Sequence, residues 1–379
     1  MRGARYRAVG PERWVVPSFR AGRSSRRGRD TLRAVTDVAD PGAKPADASR
    51  SRLLRNWRHV LRTSNPPAGR VDPVSRWLVL TRASVLPMTI TAAAIAGLLA
   101  AFHDEDVRWG LFALAAVGLM LAHVANNLMN DLFDLEVGAD SETYPRALYA
   151  PHPVLSGTIT RRGLLTAAVA VNAADLAILV VLAVFRGWPM VVFALSGFLL
   201  SVAYTAPPLR LKKHGLGEAT VLVVWGPLMV GGTYYAATGH LPFSIVVASL
   251  PYALLCTAVL MGKHIDKIPW DEPDGTRTLP VILGEATARR VTQGMFIAFY
   301  VSILALVIAQ VLPVASVLVV LSFPVLKRTF EAYNHPKPEK PPIEIPVWPL
   351  WFAAASFIVT RRAGSLFVLG LVIGAILGW

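Results

Sequence analysis

An all-α polytopic membrane bundle is the fold class this sequence predicts, and three observations predict it. Of its 379 residues, 54% are hydrophobic and only 16% are charged, against roughly 25% in a soluble domain. Mean hydropathy is +0.48, enough over this length for many apolar runs of about 20 residues, each able to cross a hydrocarbon core. Such runs recur at 79–102, 108–131, 164–185, 189–206, 219–238, 243–262, 291–311, 313–326 and 364–379, so nine spanning helices are expected.

Ahead of the first run, residues 1–76 are rich in Arg, Ala and Pro and carry the cluster Arg20-Ala-Gly-Arg-Ser-Ser-Arg-Arg-Gly-Arg29. This composition predicts a disordered, basic cytoplasmic arm preceding a membrane domain at 77–379. No apolar core follows the early charges closely, so cleavage as a secretory signal is not expected. Near the other end, 347–360 holds Trp348, Trp351 and Phe352, opens between Pro346 and Pro349, and is followed by Arg361-Arg362. It reads as an amphipathic interfacial helix, with a tenth span as the alternative.

Lys and Arg in short loops mark the cytoplasmic side. Loops 2–3, 4–5, 6–7 and 8–9 hold seventeen: Arg146, Arg161, Arg162; Arg210, Lys212, Lys213; Lys263, Lys267, Arg277, Arg289, Arg290; Lys327, Arg328, Lys337, Lys340, Arg361 and Arg362. The other four loops hold only Arg108 and Arg186. The alternation supports the span count and predicts a multi-pass plasma-membrane protein with its N-terminus cytoplasmic and its C-terminus outside. The net charge of +14 is concentrated in the arm and these loops, which suits anionic lipid rather than nucleic acid. A single cysteine, Cys256, excludes a disulfide framework or a thiolate metal site within one chain.

An aspartate at membrane depth costs at least ~2.5 kcal/mol, so acids closing a helix are functional candidates. Helix 2 closes on Asn126-Asn127-Leu-Met-Asn130-Asp131-Leu-Phe-Asp134-Leu-Glu136-Val-Gly138-Ala-Asp140. Asn127, Asn130, Asp131 and Asp134 stand at i, i+3, i+4 and i+7, one polar helical face. Helix 6 closes on Lys263-His264-Ile-Asp266-Lys267-Ile-Pro-Trp-Asp271-Glu272-Pro-Asp274-Gly275-Thr276-Arg277-Thr278. A lone helix-end Asp is ordinarily a solvated cap and a lone Lys pair an interface anchor. Two acidic clusters four helices apart on one side favour a site.

Facing carboxylates repel unless cations lie between them. Magnesium suits a few carboxylate oxygens completed by water and phosphate oxygens. Interleaved Lys263, Lys267 and Arg277, with Lys212 and Lys213 after helix 4, extend this into a clamp for a diphosphate. Helix 4 ends at Tyr204-Thr205-Ala-Pro207-Pro208, and Gly215 and Gly217 permit a tight re-entry. That turn lets Tyr204 and Lys212 face one cavity mouth, although Tyr204 alone fits an aromatic belt equally well. His214 and His264 read as solvated loop histidines.

At this point the residues resemble a family. Two Asp-rich motifs after helices 2 and 6 of a nine-helix bundle are similar to the UbiA superfamily of intramembrane prenyltransferases, over about residues 75–326 with a weaker tail to 379. Asn130-Asp131-Leu-Phe-Asp134 with Gly138 and Asp140 resembles the 1,4-dihydroxy-2-naphthoate prenyltransferase branch of menaquinone synthesis, as do Tyr204-Thr205 to Gly215-Leu-Gly217-Glu218, Gly226-Pro227 and Gly232-Thr-Tyr234-Tyr235. Gly275-Thr-Arg277-Thr278-Leu-Pro280 with Leu283-Gly284 matches the end of the second motif. Two departures stand out. The family spaces its second pair of aspartates four apart, which puts Lys267 opposite Asp271 and leaves Asp266 one residue early, rotated by ~100°. Lys263-His264 stand where that branch has asparagines.

The resemblance implies magnesium held by Asn130, Asp131, Asp134, Asp140, Asp266 and Asp271, with Asp131, Asp134 and Asp271 catalytic. It implies substrate contacts from Asn127, Asn130, Tyr204, Lys212, Lys263 and Arg277. The implied partners are a polyprenyl diphosphate, an aromatic acceptor and the bilayer, in two four-helix halves (1–4 and 5–8) plus helix 9. A terpene cyclase of the same superfamily, needing no acceptor, is the alternative. A cation transporter is a further one, but it requires acids near the bilayer midplane on broken helices.

Overall fold

The computed structural model describes residues 45–67, 71–136, 149, 152–341, 345 and 347–377. Eight helices among these are long and apolar enough to cross a membrane, and the protein is an integral membrane protein. In chain order α1 spans Pro45–Thr63, α2 Pro73–Leu80, α3 Leu86–His103, α4 Trp109–Glu136, α5 Arg161–Arg186 and α6 Trp188–Thr205. A helix α7 covers Gly217–Thr238, with a π-helical middle, Val224–Gly231, around Pro227. Proline lacks the N–H that an α-helical bond needs there, and the wider π turn absorbs the gap. Then come α8 at Phe243–Asp271, the short α9 at Leu279–Leu283, α10 at Glu285–Ile308, a 3-10 run at Val314–Ser322, α11 at Phe323–Asn334 and α12 at Trp351–Leu377.

Four expectations differ from the structure. Helix 45–63 lies inside the arm expected to be disordered. Its Val60 is fully buried, Trp57 Nε1 donates to Asp72 Oδ1 at 3.0 Å, and the domain boundary expected at 76/77 falls within α2. Residues 1–44 lie outside the described residues. The first expected span, 79–102, is broken between α2 and α3, where Arg82 takes a left-handed φ of 51° that a side chain adopts only under constraint. The expected eighth span, 313–326, is a 3-10 run that continues directly into α11, so among the described residues eight single helices are long and apolar enough to span and the expected count of nine is not confirmed. The interfacial helix expected at 347–360 and the span expected at 364–379 are one helix, α12. Arg361 and Arg362 are its exposed eleventh and twelfth residues, and a helix continues through such positions because their side chains need not be buried.

The principal core joins α3, α7, α8, α10 and α12 through Leu99, Tyr234, Tyr252, Phe296, Phe299 and Phe367. Helix α12 lies against its neighbours at two glycines. A Cβ on Gly262 of α8 would stand 2.7 Å from the Phe352 carbonyl, and one on Gly370 would stand 2.6 Å from Ala315 O. Small residues permit such backbone approach where lipid supplies little drive for helix association. By contrast α5 and α6 expose Leu165, Val184, Phe185 and Leu199, the faces available to lipid. One end of the bundle is secured by Arg186, whose Nε donates to Ala236 O at 2.8 Å and whose Nη2 donates to Ala237 O. A cation there meets carbonyls left over at the C-terminus of α7.

Candidate active site

A cavity of about 1760 Å³ runs through the bundle toward the opposite end. Its body is apolar, lined by residues such as Met88, Leu119, Leu182, Phe193 and Trp225. At its mouth stand Asn126, Asn127, Asn130 and Asp131 from α4 and Lys263, Lys267 and Asp271 from α8, with Asp274 just beyond. Tyr204, Lys212 and Lys213 complete the rim. Described residues of the two acidic motifs, more than a hundred residues apart in sequence, therefore line one cavity.

Local folding explains the meeting. Asn127, Asn130 and Asp131 share the inward face of α4, as their spacing requires. Asn130 Oδ1 accepts from Thr205 Oγ1 at 2.8 Å and Asn126 Oδ1 from Ser201 Oγ at 2.7 Å, tying α4 to α6. Asn127 Nδ2 donates to Thr81 O at 3.0 Å, fixing the turn that carries Arg82. Asp131, 1% exposed, pairs through Oδ1 with Arg82 Nη2, while its carbonyl oxygen accepts from His152 Nε2 at 2.8 Å. On the other side Asp271, 3% exposed, lies 3.8 Å from Lys267 Nζ. Behind α6, residues 211–213 form one 3-10 turn, and Arg277 N donates to Lys213 O at 3.2 Å. This bridge brings the lysine turn beside the end of α8, where Lys213 Nζ lies 3.6 Å from Asp274 Oδ2.

Two expected site residues are placed elsewhere. Asp266 is buried on another side of α8, where its Oδ2 accepts from Ala353 N at 2.9 Å and Oδ1 lies 3.4 Å from Lys337 Nζ. It anchors the start of α12 and does not line the cavity, as its one-residue offset foreshadowed. Arg277 contributes its backbone to the bridge with Lys213, and its side chain is exposed outside the cavity. The side chain of Asp134 and all of Asp140 lie outside the described residues. Expected as solvated, His264 is instead 2% exposed with Nδ1 at 2.6 Å from Glu218 Oε1.

Sequence reasoning also passed over residues of this wall. Arg82 sits inside the first apolar run, where an arginine is itself a signal. Asp175, in the middle of the run 164–185, lines the cavity and carried the same signal as a lone acid. Glu218 entered only as the last residue of the Tyr204–Glu218 string, and its pairing gave no signal because its partner lies 46 residues away.

The mouth suits a hard divalent cation. Asp131, Asn130 and Asp271 offer carboxylate and amide oxygens, and Cys256, on the cavity wall, is about four helical turns from Asp271. Among the described residues no three Asp, Glu, His or Cys side chains gather as a metal cage. Magnesium commonly takes only one or two carboxylates and completes its shell with water and phosphate.

Fold and site together define a class: an integral membrane protein with a largely apolar cavity in its helical bundle, lined toward one end by acids and lysines. Residues 88–342 match the model of the UbiA prenyltransferase family, and the chain belongs to that family and is a prenyltransferase. It is 30% identical to the 1,4-dihydroxy-2-naphthoate octaprenyltransferase of Escherichia coli (strain K12) over 230 residues, 58% of this chain and 72% of that one. It is 27% identical to the enzyme of that name from Haemophilus influenzae, covering 80% of this chain and 97% of that one. A solved structure described as digeranylgeranylglyceryl phosphate synthase matches with a TM-score of 0.51 at 14% identity, over 80% of this chain and 98% of that chain. That likeness shows the shared fold.

Proposed function

We propose that this protein transfers a polyprenyl group from an allylic diphosphate to 1,4-dihydroxy-2-naphthoate or a related hydroxylated aromatic acid, with magnesium, at the cytoplasmic face of the plasma membrane. The observation that carries the reading is a cavity whose charged mouth, with Asp131, Asp271, Lys212 and Lys263, opens onto an apolar body. A diphosphate with a long hydrocarbon tail matches that division of polarity. The naphthoate comes from the names of the E. coli and H. influenzae relatives, and the cytoplasmic side from the loop charges.

Asn130, Asp131 and Asp271 would hold the magnesium, joined by Asp134 and Asp140 of the first motif. When bound, the metal supplies charge neutralisation for the departing diphosphate. Lys212 and Lys263 meet the same developing charge as the allylic C–O bond breaks and its electron pair leaves with the phosphate oxygen. Arg82 holds Asp131 in place across the mouth. The apolar body excludes water from the allylic cation, which an electron-rich ring carbon then attacks, and loss of carbon dioxide from that carbon restores the aromatic ring.

Purified protein incubated with magnesium, a long-chain prenyl diphosphate and 1,4-dihydroxy-2-naphthoate is expected to form the prenylated, decarboxylated product, detected by mass. Excess chelator abolishes it, and Asp271→Ala costs several kcal/mol of transition-state stabilisation. Equal diphosphate release with and without acceptor, and no prenylated aromatic, would replace this reading with a cyclase. Full turnover in chelator would remove the metal.

A further inference from the structure

The reaction just described leaves one buried polar pair of the cavity wall unused. His264 lies on the cavity side of α8, between Lys263 and Lys267, and its Nδ1 is 2.6 Å from Oε1 of Glu218 on α7. Both residues are buried, at 2% and 1% exposure. The second oxygen, Glu218 Oε2, is buried without a hydrogen-bond partner among the described residues. Burying a carboxylate to tie two helices is expensive when a neutral pair of the same size would serve. What the carboxylate does supply is orientation. It accepts from Nδ1–H and so holds the imidazole in the tautomer whose Nε2 carries a lone pair. With Nδ1 turned to Glu218, Nε2 is the polar atom left for the cavity.

We propose that His264, held by Glu218, is the subsite that accepts a hydrogen bond from a ring hydroxyl of the aromatic acceptor. This rests on the proposed prenyl transfer and deepens it by naming the group that selects a hydroxylated ring. A lone pair fixed in a largely dry wall admits an O–H donor and penalises an acceptor without one, because the buried polar group is then left unpaired. It also repels a carboxylate, so the acid group of the acceptor must turn away from His264 while its hydroxyl turns toward it. The ring is thereby set in one orientation at the mouth, beside the lysines that receive the diphosphate. Lys263-His264 is also the dipeptide in which this chain departs from the asparagines of the naphthoate branch, so the hydroxyl contact is a property of this chain's own wall.

The test compares two probes on the full chain in detergent with magnesium and prenyl diphosphate. They are 1,4-dihydroxy-2-naphthoate as substrate and 2-naphthoate, which lacks both hydroxyls, as competitive inhibitor. His264→Phe keeps a flat ring and removes the lone pair. It is expected to raise the KM for the dihydroxy acid about tenfold, one hydrogen bond's worth, to lower the inhibition constant of 2-naphthoate because no lone pair is then left unpaired, and to leave the KM for prenyl diphosphate within about twofold. Glu218→Gln is expected to move the same parameters by smaller factors, since an amide can donate to Nδ1 and reverse the tautomer. His264→Gln, which keeps a lone pair, carries the test if the Phe variant does not fold, and is expected to retain the preference in part. If the variants lower thermal stability while the ratio between the two probes stays at its wild-type value, the pair is a structural tie and the subsite is overturned. Absence of prenylated product from the wild-type protein would instead overturn the proposed reaction, and the subsite with it.

Discussion

Replacing Asp266 separates two jobs that an acid at the end of α8 could have. As a metal ligand it would cost turnover and magnesium affinity. The structure instead puts its Oδ2 2.9 Å from Ala353 N, with the amides of Phe352 and Trp351 beside it, and Lys337 Nζ 3.4 Å from Oδ1. Those amides have no intrahelical acceptor because they begin α12, so Asp266 serves as a cap supplied from another helix. Removing a cap costs about 1 kcal/mol, and stranding a buried amide raises the total to about 2–3 kcal/mol. The Lys337 contact adds little, since the lysine is about a quarter exposed and such pairs are worth under about 1 kcal/mol. Asp266→Ala is therefore expected to destabilise the protein by about 2–3 kcal/mol, and Asp266→Asn, which still offers an oxygen, by about 1 kcal/mol or less. The assay is thermal unfolding in detergent, run beside a magnesium titration of turnover in the folded protein. The reasoning is refuted if Asp266→Ala leaves stability at the wild-type value and raises the magnesium requirement tenfold or more.

Three further outcomes follow from the same geometry. Arg82→Ala leaves Asp131 buried without its guanidinium and should destabilise by about 3 kcal/mol, whereas adding Asp131→Ala should cost less than the sum of the two changes; additive losses would show that the pair is not coupled. Gly262→Ala forces a Cβ to within 2.7 Å of the Phe352 carbonyl and should cost about 1–3 kcal/mol. Gly294→Ala, with nothing within 4 Å, should be neutral or stabilising by up to about 1 kcal/mol, and equal effects at the two glycines would refute the close-approach argument. An impermeant thiol reagent outside intact cells should label a cysteine placed at position 240 and spare one in 136–160 or 265–285, and labelling of either acidic loop from outside would reverse the orientation.

What was legible in the sequence was periodic or local. The polar face of α4 could be read because Asn127, Asn130 and Asp131 recur at helical spacing within an apolar run, and the structure lines all three along the cavity. Lys212 and Tyr204 were legible through the prolines and glycines that fold their turn. The boundary of α12 was misread because Arg361-Arg362 look like the end of an apolar segment. A charged pair interrupts hydropathy without interrupting backbone hydrogen bonds, and both side chains are exposed. Arg82 was visible as a charge yet was absorbed into a span, and only the broken turn between α2 and α3 shows how the chain brings it back to Asp131. The Glu218–His264 pair was beyond reach, because nothing local records which face of α7 meets α8.

Rotation about α8 explains why its acids part company. Asp266 and Asp271 are five residues apart, about 140° around the helix, so they cannot serve one opening while the helix stays regular. The wall facing the cavity is built from Lys263, His264, Lys267 and Asp271, a stripe at i, i+1, i+4 and i+8, and Asp266 falls behind it, against α12. Lys267 consequently occupies the rim where an acid spaced four before Asp271 would stand, and its ammonium lies 3.8 Å from Asp271. Exchanging a carboxylate for an ammonium at that point moves the rim by two units of charge toward anion binding. In the proposed reaction the site would then lean on the first motif and Asp271 for the metal and on Lys263, Lys267 and Lys212 for phosphate. Lys267→Asp would restore the four-residue spacing of acids at the price of that cation. It is expected to tighten magnesium dependence and to raise the KM for prenyl diphosphate by about tenfold, the loss of one charge-assisted contact of about 1.5 kcal/mol. Initial rates measured across both concentrations check it, and an unchanged diphosphate KM would show that Lys267 serves Asp271 alone.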